Sequence, residues 1–231
     1  MRLDKFLCDT ENISRKEARD FIKKGLVSVN GIKISDFGHI LNENKDTVFF
    51  KEKKVTYEKY VYYMLNKPAG VVSAVTDNID TTVIDLLKAE ERKNLFPVGR
   101  LDKDTVGLLI ITDDGDLAHH LTSPKHHVTK TYYVKINHSL NEDDIKALET
   151  GVELIGDGIT KPAKIEVISP TEIKLSITEG MYHQVKRMLK AVGNEVIYLK
   201  RLSMGPVILD ETLKEGSYRR LTEKEILSLK E

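Results

Sequence analysis

The chain has 231 residues, with 36 Lys and Arg against 36 Asp and Glu, so its formal net charge is zero. Hydrophobic residues make up 40% and charged residues 31%, as in a globular protein with one large domain or two smaller ones. No apolar run reaches the ~20 residues of a membrane span, the first residues contain no apolar stretch of signal-peptide length, and the single cysteine, Cys8, cannot form an internal disulfide. We therefore expect a cytoplasmic protein, and its average charge argues against a nucleic-acid partner.

The first segment, residues 1–54, predicts two short helices and a β-hairpin. Apolar side chains at helical spacing over residues 3–7 predict the first helix. Ser14, with Glu17 three residues later, predicts a capping box that opens the second helix. Asn30-Gly31 between two alternating runs is the strongest short-range signal for a hairpin.

Seven basic side chains lie in the first 24 residues, beside five acidic ones. The basic residues are Arg2, Lys5, Arg15, Lys16, Arg19, Lys23 and Lys24.

The stretch 51–59 is charged and aperiodic, as is typical of a linker. We place the linker at residues 55–59, between a domain at residues 1–54 and a domain at residues 60–231. The sequence pattern of the second domain predicts interspersed strands and helices that do not follow a regular βαβ order. This indicates an α+β fold with a mixed, largely antiparallel sheet. Strands are predicted at 60–65, 106–112, 130–136 and 173–178, and helices at 82–88, 116–121, 142–148, 182–192 and 223–229.

The most informative loop is 99–108, Gly-Arg-Leu-Asp-Lys-Asp-Thr-Val-Gly-Leu, which leads into a buried strand. Arg100 and Lys103 flank Asp102, and a neighbouring cation keeps a carboxylate ionised and available as a nucleophile or base. The alternative interpretation is that Asp102 and Asp104 are turn residues.

A second stretch, 179–190, predicts a helix that begins at the end of a strand. Lys186 and Lys190 lie on one face of this helix, while His183 and Gln184 in its first turn point back toward the sheet. The alternative is a solvated basic face, which is the favoured interpretation for Lys190.

A third stretch combines carboxylates and imidazoles, which bind metals in many proteins. It contains Asp113, Asp116, His119 and His120. The favoured interpretation is a helix N-cap supplied by Asp114 or Asp116. The sequence has neither a glycine-rich phosphate loop nor a Gly-x-Ser-x-Gly elbow, which argues against the enzyme classes that use them.

Several motifs in order resemble those of the RNA pseudouridine synthases. The loop 99–108 resembles their signature loop, and the N-terminal segment is similar to the alpha-L RNA-binding domain of a small-subunit ribosomal protein. The other matching motifs are Asn66-Lys67-Pro68-x-Gly70, Lys130-Thr131-Tyr132 and Glu-Gly-x-Tyr-His-Gln-Val-Lys-Arg-Met at 179–188. Their order, from the first residues to Arg219-x-Leu221-Thr222, resembles the RsuA branch of that family.

The resemblance implies a pseudouridine synthase fold and an isomerisation that needs neither cofactor nor metal. Asp102 would be the essential carboxylate, Tyr132 would stack on a flipped uracil, and Lys186 would pair with Asp102, where many relatives have Arg. Arg100 would fill the gap left by the flipped nucleotide or hold phosphate. Further substrate-binding residues implied are Asn66, Lys67, Gln184 and Arg187. The similarity to the alpha-L domain implies that the seven basic residues within 1–24 bind RNA.

Within the branch, the stretch 183–188 looks most like the small-subunit (16S) enzyme, which implies ribosomal RNA or a ribosomal assembly intermediate as the partner. We expect a monomer with no membrane partner. The alternatives are a large-subunit rRNA synthase, a non-catalytic RNA-binding protein, and a metal-dependent phosphodiesterase.

The zero net charge hides a segregated pattern. Residues 117–141 contain three Lys and no acid, and residues 181–220 hold eight basic against four acidic side chains. Residues 141–158 hold six acidic side chains against Lys146 alone. The basic segments coincide with the motifs, which predicts one RNA-facing surface.

Overall fold

The computed structural model describes residues 1–42, 45–87 and 94–231. It divides into two compact units, Met1–Tyr60 and Val61–Glu231, which we call the N-terminal and C-terminal units. Among the described residues, no helix is long and apolar enough to cross a membrane.

The N-terminal unit packs two helices on a four-stranded antiparallel sheet of order β2-β1-β3-β4. Its elements are α1 (Leu3–Glu11), α2 (Arg15–Lys23), β1 (Val27–Val29), β2 (Ile32–Lys33), β3 (Val48–Phe50) and β4 (Lys53–Val55). The predicted capping box is confirmed, because Ser14 and Glu17 exchange bonds at the start of α2. The predicted hairpin is also confirmed, with φ of 51° at Asn30 and 83° at Gly31, as a type I′ turn requires.

The linker prediction is wrong for residues 53–55, because they form β4 and pair with β3. Lys51 and Glu52 turn this second hairpin with φ values of 47° and 66°. Both are residue types that rarely adopt positive φ, so the sequence carries no turn signal there. Tyr57, also within the predicted linker, lies with its ring centroid 5.8 Å from that of Phe6 in the N-terminal core.

The C-terminal unit is built on a nine-stranded sheet of order β11-β12-β8-β13-β7-β5-β15, with β14 beside β13 and β6 beside β7. Its strands are β5 (Tyr62–Lys67), β6 (Phe96–Pro97), β7 (Val106–Thr112), β8 (Lys130–Ile136), β11 (Lys164–Ser169), β12 (Glu172–Ile177), β13 (Val196–Met204), β14 (Val207–Ile208) and β15 (Tyr218–Arg220), with β9 (Glu153–Leu154) and β10 (Gly158–Ile159) as a separate hairpin. Only β13 and β7 run parallel among the described pairs of this sheet. The predicted mixed, largely antiparallel α+β architecture is confirmed.

The helices of this unit are α3 (Gly115–Thr122), α4 (Glu142–Thr150), α5 (Gln184–Ala191) and α6 (Glu223–Lys230). Each overlaps a predicted helix. The predicted helix at 82–88 is only a 3₁₀ turn, Asp85–Leu87, and residue 88 lies outside the described residues.

One face of the sheet carries the main core and, at its edge, the candidate site. Tyr132 and Val134 of β8 pack there with Leu199 of β13 and with apolar side chains of α4 and α5. Gly107 lets β7 and β13 approach closely, since a Cβ at this residue would lie 2.4 Å from the Arg201 carbonyl oxygen. Its φ of 100° also favours glycine.

Candidate active site

Asp102 lies in the loop between β6 and β7, where it lines a pocket with an empty volume of about 450 Å³. Tyr132 and Leu199 from the sheet and Val185 from α5 form part of the wall. The loop is carried on β7, whose seven residues are all buried, so it rests on a rigid support. The carboxylate is therefore presented to a concave site with an apolar, partly aromatic lining.

Lys186 of α5 bridges two carboxylates of this loop. Its Nζ lies 3.0 Å from Asp102 Oδ2 and 2.6 Å from Asp104 Oδ1. Burial opposes the charge of Lys186, but the bonds from Asp104 and Asp102 outweigh it and raise the pKa of the ammonium. The bond from Lys186 likewise lowers the pKa of Asp104. The site thus holds an ammonium that stays protonated at neutral pH.

The two carboxylates differ in their surroundings. The side chain of Asp102 is 21% exposed, whereas that of Asp104 is 74% exposed. Asp102 lines the pocket, and Asp104 does not. The lysine is shared, but only one of its partners faces the space where a ligand would sit.

His183 also reaches Asp102, with Nε2 3.5 Å from Oδ1. It occupies the position before α5 in the left-handed region, at φ 48°, and its ring stacks on Tyr182 with centroids 3.9 Å apart. The sequence predicted that His183 points toward the sheet end but did not include it among the site residues. The left-handed backbone conformation of His183 orients its ring toward the Asp102 carboxylate. The residue type alone does not predict this conformation.

Tyr132 is 8% exposed and presents part of its ring to the pocket. Ile177 of the neighbouring strand lines the same wall. An aromatic ring among aliphatic side chains is suited to receive a planar base, since base–aromatic stacking contributes about 1–3 kcal/mol.

Arg100 lies at the exposed edge of the pocket. No hydrogen bond or ion pair engages its guanidinium within the part of the chain that the structure describes. The predicted contact with RNA is therefore open to this side chain.

Lys67, predicted to bind substrate, is instead completely buried. Its Nζ donates to the carbonyl oxygens of Pro68 at 3.1 Å, Lys103 at 3.2 Å and Thr105 at 2.9 Å. Burial lowers the pKa of Lys67 to about 8, partly offset by the charges of Asp104 and Asp102. The geometry indicates that Lys67 stabilises the Asp102 loop through hydrogen bonds and does not contact a ligand.

Asn66, the second predicted substrate contact on β5, is also buried and lies away from the pocket lining. Its Nδ2 donates to the Leu213 carbonyl oxygen at 2.7 Å, and its Oδ1 has no hydrogen-bond partner in the described part of the chain. The structure therefore connects Asn66 to the segment before β15.

Gln184 and Arg187 organise the turn that leads into α5. Gln184 lines the pocket, but its Nε2 donates to Glu179 at 2.7 Å and its Oε1 accepts from the Met181 amide at 2.9 Å. Arg187 pairs with Asp157 and donates to the Ile155 carbonyl oxygen at 2.7 Å. Both predicted substrate contacts are thus engaged by the protein itself.

The basic residues of the N-terminal unit fall into two groups. Arg2 and Arg19 pair with Asp4, at 3.0 and 3.1 Å, and Asp4 is 1% exposed. Arg19 also lies over the ring of Phe37 at 4.9 Å. The other five are exposed and have no ion-pair partner within the described ranges: Lys5, Arg15, Lys16, Lys23 and Lys24.

The favoured interpretation of the third stretch, a helix N-cap, is confirmed for Asp114. Asp114 N-caps α3, accepting from the Leu117 amide at 3.1 Å and from the Tyr62 hydroxyl at 2.6 Å. Asp113 accepts from the Val61 amide at 2.8 Å. Across residues 1–42, 45–87 and 94–231, no group of three or more His, Cys, Asp or Glu is arranged to hold a metal.

Comparisons with known proteins identify the family of both units. Residues 61–191 match the RNA pseudouridylate synthase family, and residues 1–46 match the S4 domain. The chain therefore belongs to the RNA pseudouridine synthases, with an S4 domain of the alpha-L type before the catalytic domain.

Its relatives fall in the RsuA branch. The chain is 50% identical to the uncharacterized RNA pseudouridine synthase YtzG of Bacillus subtilis (strain 168), covering 100% of this chain and 99% of that one. It is 44% identical to the ribosomal small subunit pseudouridine synthase A of Vibrio cholerae, covering 99% of each. The crystal structure of a pseudouridylate synthase matches with a TM-score of 0.70 and 39% identity, again over 99% of each chain.

Proposed function

We propose that this enzyme converts one uridine of small-subunit 16S rRNA into pseudouridine, and that Asp102 acts on a nucleotide turned out of the RNA stack. The observation that carries the proposal is the Asp102 carboxylate, paired with Lys186 and facing a pocket walled by Tyr132. The relatives named as small-subunit synthases support the choice of 16S rRNA. Ribosomal RNA in the cytoplasm would be the partner.

The reaction is an isomerisation whose atoms balance without an oxidant or reductant. The bond from C1′ of the ribose to N1 of uracil breaks, a bond from C1′ to C5 forms, and the proton on C5 is replaced by one on N1. A carboxylate that faces the pocket beside a cation is suited to act at the sugar or the base while the base turns.

The pocket requires the uridine to leave the RNA stack. Extrusion of a base costs a few kcal/mol, and stacking against an aromatic side chain compensates for part of this cost. Tyr132 supplies the ring, and Arg100 at the edge supplies a cation for the phosphate or for the gap in the stack. The exposed cations of the N-terminal unit would hold RNA through its phosphates.

The test is tritium release from RNA labelled at carbon 5 of uridine. Transcripts and ribosomal particles containing 16S or 23S rRNA are incubated with the wild type and with Asp102→Asn. We expect release from 16S substrates with the wild type alone and unchanged RNA binding by the variant. Release from 23S substrates only would assign the enzyme to large-subunit RNA, and binding without release from either would support a non-catalytic RNA-binding protein.

A further inference from the structure

Two cations are buried beside Tyr132 without an acidic partner among the described residues. Lys130 is 7% exposed and Arg201 is 3% exposed. Arg201 Nε donates to the Leu108 carbonyl oxygen at 2.7 Å, but its Nη2 is buried and has no hydrogen-bond partner among the residues that the structure describes. Neither a hydrogen bond nor an ion pair to a described residue engages the Lys130 ammonium.

Strand register places both cations on the face of the sheet that carries Tyr132, behind the residues that line the pocket. Lys130 precedes Tyr132 by two residues on β8, and the buried residues of this strand alternate, so both side chains lie on one face. Arg201 on β13 lies directly opposite Tyr132. Ile177, opposite Lys130 on β12, lines the pocket together with Tyr132.

Burying two unpaired cations together lowers the stability of the fold. Burial lowers the pKa of Lys130, and the charge of Arg201 lowers it further. Buried charges in proteins are normally paired, because desolvation is costly. The acidic side chains of the Asp102 loop and of the turn before α5 bond to other groups: Asp102 and Asp104 to Lys186, and Glu179 to Gln184.

We propose that Lys130 and Arg201 remain unpaired in order to stabilise negative charge on the uracil in the pocket, which rests on the proposed function. When the C1′–N1 bond breaks, its electron pair stays with the base, and the negative charge spreads over N1, O2 and O4. Fixed cations beside a site of developing charge lower the barrier, since they need no reorganisation during the reaction.

An RNA phosphate is the other anion that two cations would attract. Both side chains are buried in the core face around Tyr132, whereas the phosphate backbone would run along the exposed edge of the pocket. The two roles differ in kinetics. A phosphate contact contributes to RNA affinity, while stabilisation of charge on the base contributes to kcat.

The test compares Lys130→Met with Lys135→Met, a matched change on the opposite face of the same strand, where Lys135 pairs with Glu172 at 3.4 Å. Pseudouridine formation on 16S rRNA substrates and thermal unfolding are measured for both. For Lys130→Met we expect kcat to fall about tenfold or more with KM within about threefold, and Tm to rise by ~2 °C or more. Lys130→Arg should recover part of kcat, and Lys135→Met should leave kcat unchanged.

Three results would overturn the proposal: an unchanged kcat for Lys130→Met, a rise in KM alone, or a fall in Tm with activity lost in proportion to unfolded protein. Lys130→Gln, which keeps a polar side chain without the charge, gives the same test if the methionine variant fails to accumulate. Absence of pseudouridine with the wild type on every rRNA substrate would instead refute the proposed function, and the present proposal with it.

Discussion

The two units of this protein each place an aspartate beside a cation, and the two sites differ in how completely the carboxylate is bonded. Asp4 in the N-terminal unit is 1% exposed and accepts from Arg2, Arg19 and the Lys5 amide. Asp102 in the C-terminal unit is 21% exposed, with one close bond from Lys186 and a longer contact from His183. Asp4 has its bonding capacity filled by the protein, whereas Asp102 keeps capacity for a ligand.

This difference distinguishes a structural ion pair from a reactive one, although both look alike in the sequence. Two of the seven predicted RNA-binding residues, Arg2 and Arg19, also differ from the other five because they form ion pairs with Asp4. The variants below test whether the C-terminal site controls turnover and the N-terminal site controls stability.

The largest effect among these variants is expected at Lys186. Lys186→Met removes the cation beside Asp102, and we expect roughly a 100-fold loss of kcat, as for removal of one electrostatic group from an active site. Lys186→Arg keeps the charge with a different geometry and should stay within about tenfold of the wild type. Tritium release under single-turnover conditions measures both, and equal loss in the two variants would contradict the electrostatic role.

Lys67 should show a smaller effect with a distinct pH dependence. Lys67→Met removes the donor from three carbonyl groups beneath the Asp102 loop, and we expect roughly a tenfold loss of kcat. Because the pKa of Lys67 is lowered to about 8, its ammonium is lost above that pH, and wild-type kcat should decline there. The free energy of unfolding should instead rise over this pH range. Between pH 8 and 10.5 the unfolded state binds more protons than the folded state, so folding becomes more favourable as the pH increases.

The control for Lys67 is the shape of the curve of kcat against pH. Lys67→Met should have low activity without the decline near pH 8. A decline of the same size in the variant would show that another group causes it.

Asp4→Asn should change stability and leave catalysis intact. The bonds from Arg2 are the main cause that lowers the pKa of Asp4 to about 2 from 3.8. The resulting stability is present above pH 4 and is lost as the pH falls toward 2. Because both arginines are partly exposed, we expect about 1–2 kcal/mol, measured by hydrogen exchange in α1 and α2. A loss of kcat without faster exchange would contradict the assignment.

The smallest effect is expected from exposed cations of the N-terminal unit. Arg15→Gln with Lys16→Gln should weaken RNA binding a few-fold and reduce the slope of log affinity against log salt by about 1–2. The matched control is Lys146→Gln, which lies in the acidic stretch of α4. An unchanged slope in the double variant would place RNA docking elsewhere.

The parts of the fold that were predicted correctly have strong local signals. The buried strand 106–112 and the strand 130–136 match β7 and β8 in full, and the capping box at Ser14 marks the start of α2. The longest strand, β13, was not predicted, because Lys200 and Arg201 interrupt its apolar pattern. Its position depends on pairing with β7 and β8, which are distant in sequence.

For the site, the sequence identified the residues that face the pocket better than those that support it. The motifs and the resemblance singled out Asp102, Tyr132 and Arg100, all of which line the pocket. The resemblance implies a substrate contact for Lys67, and no local sequence feature shows that this lysine is buried and bonded to three carbonyl groups. Tertiary packing decides that role.

The most direct measurement compares Asp102→Asn with Asp104→Asn. Both changes remove a carboxylate that bonds to Lys186, at 3.0 and 2.6 Å, but only Asp102 lines the pocket. Single-turnover pseudouridine formation on 16S rRNA substrates should fall at least ~1000-fold for Asp102→Asn and less than about tenfold for Asp104→Asn, with RNA binding retained in both. Equal activity in the two variants, or a larger loss at Asp104, would contradict the account.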